Sequence, residues 1–148
     1  MAGYPQLELD RQLCFALYTA SRAIVRAYGP LLEEAGLTYP QYLTMLVLWE
    51  DAERPQSVGE LGGRLGLDSG TLTPLLKRLA AMGYVTRSRD PEDERRVLVT
   101  LTTAGLALRD DLASVPEALL GRCQGFDPAE AVSLRDQLVA LTAALEDS

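Results

Sequence analysis

The chain has 148 residues, of which 47% are hydrophobic, and carries a formal net charge of −7 with two cysteines and no histidine. A chain of this length buries one hydrophobic core, no apolar run is long enough for a membrane span, and the N-terminus lacks a signal-peptide layout. We therefore expect a single cytoplasmic domain. The absence of histidine excludes Ser–His and Cys–His nucleophile pairs, and we expect neither a metal site nor a cofactor.

Apolar residues at helical spacing begin close to the N-terminus. They predict an amphipathic helix that begins at Leu9 and is ended by Gly29 and Pro30. A capping box of Thr38 and Gln41 predicts the start of a second helix. The apolar positions of the first helix are Leu9, Leu13, Leu17, Ala20, Ile24 and Tyr28, and those of the second are Tyr42, Met45, Leu46, Leu48 and Trp49.

The middle of the chain has the pattern of a helix-turn-helix. Ser57 and Glu60 form a second capping box, which predicts a short helix. Asp68 or Ser69 caps the next helix, which we expect to end at Gly83. Two helices joined by so tight a turn are typical of a DNA-reading motif.

Two segments of alternating polarity follow, Tyr84–Arg89 and Arg96–Leu101. They predict a β-hairpin whose polar loop, "DPEDER", is the wing of a winged helix-turn-helix. The linker-like stretches are "ERPQ" around Pro55 and "CQGFDP" around Gly125. The predicted fold class is mainly α-helical with a small β-hairpin wing.

Two more helices are predicted after the hairpin. "LTTAG" opens the first, Pro116 bends or divides it, and Asp127 with Glu130 caps the last. Nothing remains in the chain to cover the apolar positions of the last helix, which are Ala131, Leu134, Leu138, Leu141 and Leu145. We expect them to pack on the first helix of a second subunit in a two-fold homodimer. The single domain 1–148 then comprises dimerisation and sensing helices in 1–54 and 102–148 and a winged-helix DNA-binding core in 55–101.

Charge is distributed unevenly along the chain. Residues 55–101 include seven basic and six acidic side chains, a net charge of +1, so the remainder carries −8. Phosphate binding responds to local basic clusters rather than to the total charge. A recognition helix presents its N-terminal residues to base edges, although Pro74 should kink or loosen this one. Near the bases we expect Asp68, Ser69, Thr71 and Thr73, and near phosphates Lys77 and Arg78.

Cys14 and Tyr18 lie one turn apart on the first helix, so their side chains share a face. A hydrogen bond from the Tyr18 hydroxyl to the Cys14 sulfur would stabilise a thiolate, the form of cysteine that reacts with oxidants. Alternatively, a lone cysteine on a mostly apolar helix is a packing residue. Spacing alone leaves both interpretations open.

Two segments resemble a known family. "VGELGGRLGLDSGTLTPLLKRLAAMGYVTRSRDPEDERRVLVTLTTAG" resembles the winged-helix core of MarR-type regulators, and "LCFALYTASRAIVRAYGPLL" resembles the sensing helix of their organic hydroperoxide resistance branch. The resemblance covers nearly the whole chain. It implies that Cys14 is the peroxide-reactive cysteine, and that Tyr28 and Tyr39 join Tyr18 around its sulfur within the dimer.

The same resemblance implies roles for the wing and for the second cysteine. Arg95 would enter the minor groove of DNA, with Asp93 orienting its guanidinium. Some members of the branch resolve the oxidised cysteine with a second cysteine of the opposite subunit, and others use a small cellular thiol. Cys123 is therefore either an intersubunit resolving cysteine or a packing residue at a helix end.

These residues predict a dimeric repressor, not an enzyme, that binds double-stranded operator DNA when reduced. An organic hydroperoxide would act as inducer by oxidising Cys14. Two alternatives stay open. A MarR-type repressor would respond instead to a small phenolic or aromatic ligand in the dimer cleft, with Cys14 inert toward hydroperoxide. A thiol peroxidase would consume hydroperoxide continuously and would lack DNA affinity, which leaves the wing unexplained.

Overall fold

The computed structural model describes residues 3–147, which form two short 3₁₀ turns, seven α-helices and a three-stranded sheet. The helices are α1 (Leu13–Leu32), α2 (Tyr39–Glu50), α3 (Val58–Leu65), α4 (Ser69–Ala81), α5 (Thr103–Asp111), α6 (Val115–Arg122) and α7 (Pro128–Glu146). The strands are β1 (Gln56–Ser57), β2 (Val85–Arg89) and β3 (Val97–Leu101). The predicted class, mainly helical with a small β wing, is confirmed. No helix in this described part is long and apolar enough to cross a membrane.

The first helix begins later than its apolar pattern predicts. Leu9 lies in a 3₁₀ turn rather than in α1, which begins at Leu13. The Gln12 backbone is extended, and its side-chain amide donates hydrogen bonds to the carbonyls of Gln6 and Glu8 at 2.8 and 3.0 Å. These bonds stabilise a separate turn ahead of the helix, so the apolar spacing starts before the helix does.

The first helix also ends later than predicted, because it runs through Pro30 to Leu32. A proline in the last turn removes one backbone hydrogen bond, and the residues after it keep helical angles. Beyond Leu32 the chain forms a turn that ends at Gly36, which adopts a left-handed φ of 71°. The Leu37 N–H then donates to the Leu32 carbonyl at 3.3 Å. The prediction that Gly29 and Pro30 end the helix is wrong, since Gly36 supplies the required conformation.

Four helices begin at the caps that the sequence predicts. Reciprocal capping boxes join Thr38 to Gln41, Ser57 to Glu60 and Asp127 to Glu130. At α4 the cap is Asp68, whose Oδ1 accepts the Thr71 N–H at 2.7 Å, and Ser69 is the first helical residue. The N-terminus of the predicted recognition helix is therefore fixed by a carboxylate.

The wing belongs to a three-stranded antiparallel sheet in the order β1-β3-β2. Strands β2 and β3 pair with Arg87 opposite Val99, within one residue of the predicted hairpin. Strand β1 was not predicted, because "ERPQ" has the composition of a linker. A two-residue strand is too short to show alternation. It forms because Gln56 is opposite Val99 and its side chain donates to the Val47 carbonyl at 3.2 Å.

The core lies where α2, α3 and α4 meet the sheet. Its fully buried or nearly buried members are Met45, Leu48, Leu61, Leu72, Leu76, Leu79 and Val99. Gly105 sets the position of α5, because a Cβ there would overlap the carbonyl oxygen of Tyr84. The Trp49 indole N–H donates to the Gly105 carbonyl at 2.9 Å. This packing joins α2, α5 and the start of β2.

Contacts divide the chain into two compact units, one ending at Ala113 and the other beginning at Ser114. The second unit contains α6 and α7. Pro116 is the second residue of α6, so the helix predicted after the wing is divided rather than bent. Helix α7 buries none of its described side chains, and its exposed apolar residues are Val132, Leu134, Val139 and Leu145. The division into 1–54, 55–101 and 102–148 stays a prediction.

Candidate functional site

Cys14 and Tyr18 lie in the first two turns of α1, and both are exposed. Within residues 3–147 no hydrogen bond joins the Tyr18 hydroxyl to the Cys14 sulfur. The Arg22 guanidinium carbon lies 5.4 Å from the centroid of the Tyr18 ring, within the range of a cation–π contact.

Three tyrosines cluster at the other end of α1. The Tyr28 and Tyr39 rings stack with their centroids 4.5 Å apart, and Tyr42 lies 5.6 Å from Tyr28 and 6.5 Å from Tyr39. Burial raises the pKa of Tyr39, and burial with the adjacent Tyr39 raises the pKa of Tyr42. Both phenols therefore keep their protons at neutral pH and remain donors. Tyr42 was predicted only as an apolar core residue, although its spacing of three from Tyr39 places the two on one helix face.

The structure does not bring these two groups together within one chain. Cys14 and Tyr28 lie on the same continuous helix. At a rise of about 1.5 Å per residue, their positions are roughly 21 Å apart along its axis. One chain therefore presents Cys14 with Tyr18 at one end of α1 and the tyrosine cluster at the other.

Cys123 is exposed at the C-terminal cap of α6. Its Sγ donates a hydrogen bond to the Leu119 carbonyl at 3.6 Å. An exposed thiol at a helix end is accessible to a reaction partner, and it contributes no packing to a core. Whether Cys123 is a resolving cysteine or a packing residue in the dimer stays a prediction.

The first turn of α4 presents a polar surface. Asp68, Ser69 and Thr71 are exposed, and Thr73 is half-buried. The Thr71 backbone N–H bonded to Asp68 lowers the pKa of that carboxyl. Lys77 and Arg78 are also exposed, on later turns of the helix. Helix α4 runs without a break through Pro74, so the predicted recognition helix is intact.

The loop between β2 and β3 is held by its own hydrogen bonds. Asp93 Oδ1 accepts from the backbone N–H of Arg95 at 3.1 Å and from its Nε at 3.2 Å. The rest of the Arg95 side chain is free, with 92% of it exposed. Arg89 donates to the Glu94 carbonyl at 2.8 Å, which closes the hairpin. The geometry is that of an ordered loop with one projecting guanidinium.

A cleft of about 390 Å³ separates this hairpin from the starts of α3 and α4. Its polar lining includes Ser57, Ser69, Thr73, Arg87, Arg95 and Arg96. No role beyond its positive charge is predicted for Arg87 from the sequence. Its Nε–H is buried and donates to no acceptor among the described residues. The cleft therefore combines three cationic side chains with small hydroxyl groups, a combination suited to phosphate oxygens.

In comparisons with known proteins, the matching family and the most similar sequences described here are transcriptional regulators. The profile of the family described as transcriptional regulator SarA/Rot matches residues 26–112. The transcriptional regulator TtmR of Methylorubrum extorquens is 51% identical over 133 residues, which is 90% of this chain and 67% of the relative. The organic hydroperoxide resistance transcriptional regulator of Bacillus subtilis is 46% identical over 118 residues, which is 80% of this chain and 79% of the relative.

Solved structures of AbfR from Staphylococcus epidermidis are also similar. Reduced AbfR bound to DNA superposes with a TM-score of 0.82 at 34% identity, covering 96% of this chain and 95% of that one. Disulfide-formed AbfR gives a TM-score of 0.61 at 37% identity, covering 93% and 94%. The chain thus shares its fold with a regulator that has been solved both on DNA and as a disulfide.

Proposed function

The chain belongs to the SarA/Rot family of MarR-like winged-helix transcriptional regulators, and on this basis we propose that it is a DNA-binding repressor released from its operator when an organic hydroperoxide oxidises Cys14. The proposal that the chain binds DNA rests on the cleft, because residues from the polar start of α4 and arginines of the wing line it together. The proposed repressor acts in the cytoplasm, as a regulator and not as an enzyme.

The recognition surface follows from helix and hairpin geometry. Asp68, Ser69, Thr71 and Thr73 would lie near base edges, with Lys77 and Arg78 near phosphates. Arg95 projects from the hairpin with its Nε held by Asp93, which supports its insertion into a narrow minor groove. Small hydroxyl side chains permit the close approach of α4 to the major groove.

The sensing half requires two copies of the chain. Because Cys14 is roughly 21 Å from Tyr28 along α1, the tyrosine cluster can reach the sulfur only from a second subunit whose α1 runs antiparallel. The exposed phenol of Tyr18 and the protonated phenol of Tyr39 would then both donate to the sulfur. Donors to a thiolate favour it over the thiol, which makes the sulfur more reactive.

The proposed chemistry balances without a cofactor. The Cys14 thiolate attacks the terminal oxygen of the hydroperoxide, the O–O bond breaks, and the alcohol leaves after taking up a proton. The product is a cysteine sulfenic acid. A thiol, either Cys123 of the partner or a small cellular thiol, then attacks that sulfur, forming a disulfide and releasing water. The resulting shift of α1 would change the spacing of the two recognition helices.

The decisive experiment is a gel shift on DNA from upstream of the protein's own gene. The reduced protein should retain this DNA, cumene hydroperoxide should release it, and dithiothreitol should restore binding. A MarR-type repressor controlled by a phenolic ligand would instead retain DNA after peroxide treatment. A thiol peroxidase would bind no DNA at all and would consume hydroperoxide continuously.

Arg95→Ala is expected to weaken operator binding by about 1–3 kcal/mol while leaving folding and dimerisation unchanged. The reason is that the Arg95 side chain is 92% exposed and its ion pair is with Asp93 of the same loop, so its removal costs little in the free protein.

Lys77→Ala should lower affinity for all DNA sequences and flatten the salt dependence of binding through loss of a phosphate contact. Arg11→Ala, at an exposed arginine outside the winged helix, is the matched control. Equal operator affinity of Arg95→Ala and wild type would refute the assigned wing contact.

A further inference from the structure

One carboxylate, that of Glu60, links three parts of the winged helix. Glu60 Oε2 accepts the Ser57 backbone N–H at 3.2 Å and the Arg54 guanidinium at 3.1 Å. Its Oε1 lies 3.6 Å from an Nη of Arg96. The first bond is the reciprocal half of the capping box that begins α3. The contacts with Arg54 and Arg96 depend on the negative charge of Glu60, which the capping box does not require.

Arg96 carries this link into the base of the wing. Its second Nη lies 3.4 Å from the carboxylate of Asp90, the residue that follows β2 and is only 8% exposed. The Asp90 N–H donates to the Arg96 carbonyl at 2.9 Å, and its Oδ1 accepts the Glu92 N–H at 2.9 Å. Arg96 is also the neighbour of Arg95 in the chain. The orientation of Arg96 therefore affects where the guanidinium of Arg95 projects.

We propose that Glu60 is a positioning residue for DNA recognition: its carboxylate holds Arg96 and thereby fixes the hairpin in the orientation from which Arg95 reaches the minor groove. The proposal rests on the DNA-binding function proposed above. Glu60 is partly exposed, with 41% of its side chain accessible, so each ion pair alone stabilises little. The effect comes from one carboxylate that fixes three partners at once.

The sign of the effect separates positioning from simple electrostatics. A carboxylate beside a phosphate-binding cleft repels DNA, so its neutralisation alone should tighten binding. Loss of a positioning contact should weaken binding, because the wing must then be ordered when DNA binds. Glu60→Gln distinguishes the two, since glutamine keeps the capping box, as Gln41 does at α2 in this chain. It removes the charge toward Arg54 and Arg96.

Glu60→Gln is expected to lower operator affinity by about three- to tenfold. Glu50→Gln is the matched control, because it makes the same change of charge in an ion pair between α2 and α3 that contains no wing residue. Its affinity should equal or slightly exceed that of wild type. In an Arg95→Ala background the effect of Glu60→Gln should disappear, because the positioned group is gone.

A second readout follows the wing in the absence of DNA. Hydrogen exchange of the backbone amides in 90–96 should be faster in Glu60→Gln than in wild type or Glu50→Gln, with thermal unfolding temperatures that match. Unchanged or tighter DNA binding by Glu60→Gln would overturn the proposal, as would an equal loss with and without Arg95. Failure of the wild-type protein to bind operator DNA would instead refute the proposed function itself.

Discussion

Cys14→Ser is expected to bind operator DNA as tightly as wild type and to retain it at hydroperoxide concentrations that fully release wild type. A serine hydroxyl is almost entirely protonated at neutral pH and does not attack the O–O bond, so the step that starts release is lost. The substitution is nearly isosteric, and Cys14 is exposed, so folding should not change. Wild type should lose at least about tenfold in affinity, which corresponds to roughly 1.4 kcal/mol.

The measurement is a titration of labelled operator DNA with reduced and peroxide-treated protein, followed by fluorescence anisotropy. Cys123→Ser is the informative control, because it also removes one exposed thiol but keeps the sulfur that is proposed to react first. It should still release DNA in the first minutes of treatment. Peroxide-driven release of DNA by Cys14→Ser would refute the proposed mechanism and would indicate that another residue is oxidised.

Local signals explain most of the fold that was predicted correctly. Capping boxes and the Asp68 cap are interactions between residues three positions apart, so they are present in the sequence itself. The start of α1 was predicted wrongly because it depends on hydrogen bonds from the Gln12 side chain across six residues. Strand β1 was missed because it forms by pairing with β3. In that pairing Gln56 lies opposite Val99, which is 43 positions later in the sequence.

In the candidate site, too, interactions between residues close in sequence were predicted and tertiary interactions were not. Asp93 and Arg95 are two residues apart, and their predicted pairing is present in the structure. The proposed roles of the two in DNA binding stay predictions. The buried Nε–H of Arg87, which has no hydrogen-bond partner among the described residues, and the ion pair of Glu60 with Arg96 both depend on tertiary structure. No local pattern indicated them.

Distance along α1 also changes how the sensing residues are understood. The sequence places Tyr18 beside Cys14 by spacing, whereas Tyr28 and Tyr39 join them by resemblance alone. Helix α1, which is 20 residues long, places Cys14 and Tyr18 near one end and Tyr28 near the other, so we expect a second subunit to bring them together. In the proposed dimer, with Cys14 beside the partner's tyrosine cluster, oxidation of the sulfur would change the contact between the two subunits directly.

Cys123→Ser is expected to abolish a covalent dimer that forms in wild type. After treatment with roughly one equivalent of hydroperoxide per thiol, wild type should migrate as a dimer on a non-reducing gel and as a monomer after reduction, since a sulfenic acid condenses with a nearby thiol. The exposed Cys123 thiol, which donates a hydrogen bond to the Leu119 carbonyl, is accessible for this reaction. The bond would be intersubunit, because the proposed dimer packs the C-terminal helices of one subunit on the first helix of the other.

Without that thiol, Cys14 should continue to sulfinic and sulfonic acid when hydroperoxide is in excess, each step consuming one further hydroperoxide and releasing one alcohol. Dithiothreitol should then no longer restore DNA binding. Mass spectrometry of the peptide containing Cys14 measures this directly as added oxygen atoms. Cys14→Ser supplies the matched control, because it should also lack the dimer band but should show no added oxygen at position 14. A wild-type protein that stays monomeric on the gel, with Cys14 capped by an added small thiol, would show instead that resolution does not use Cys123.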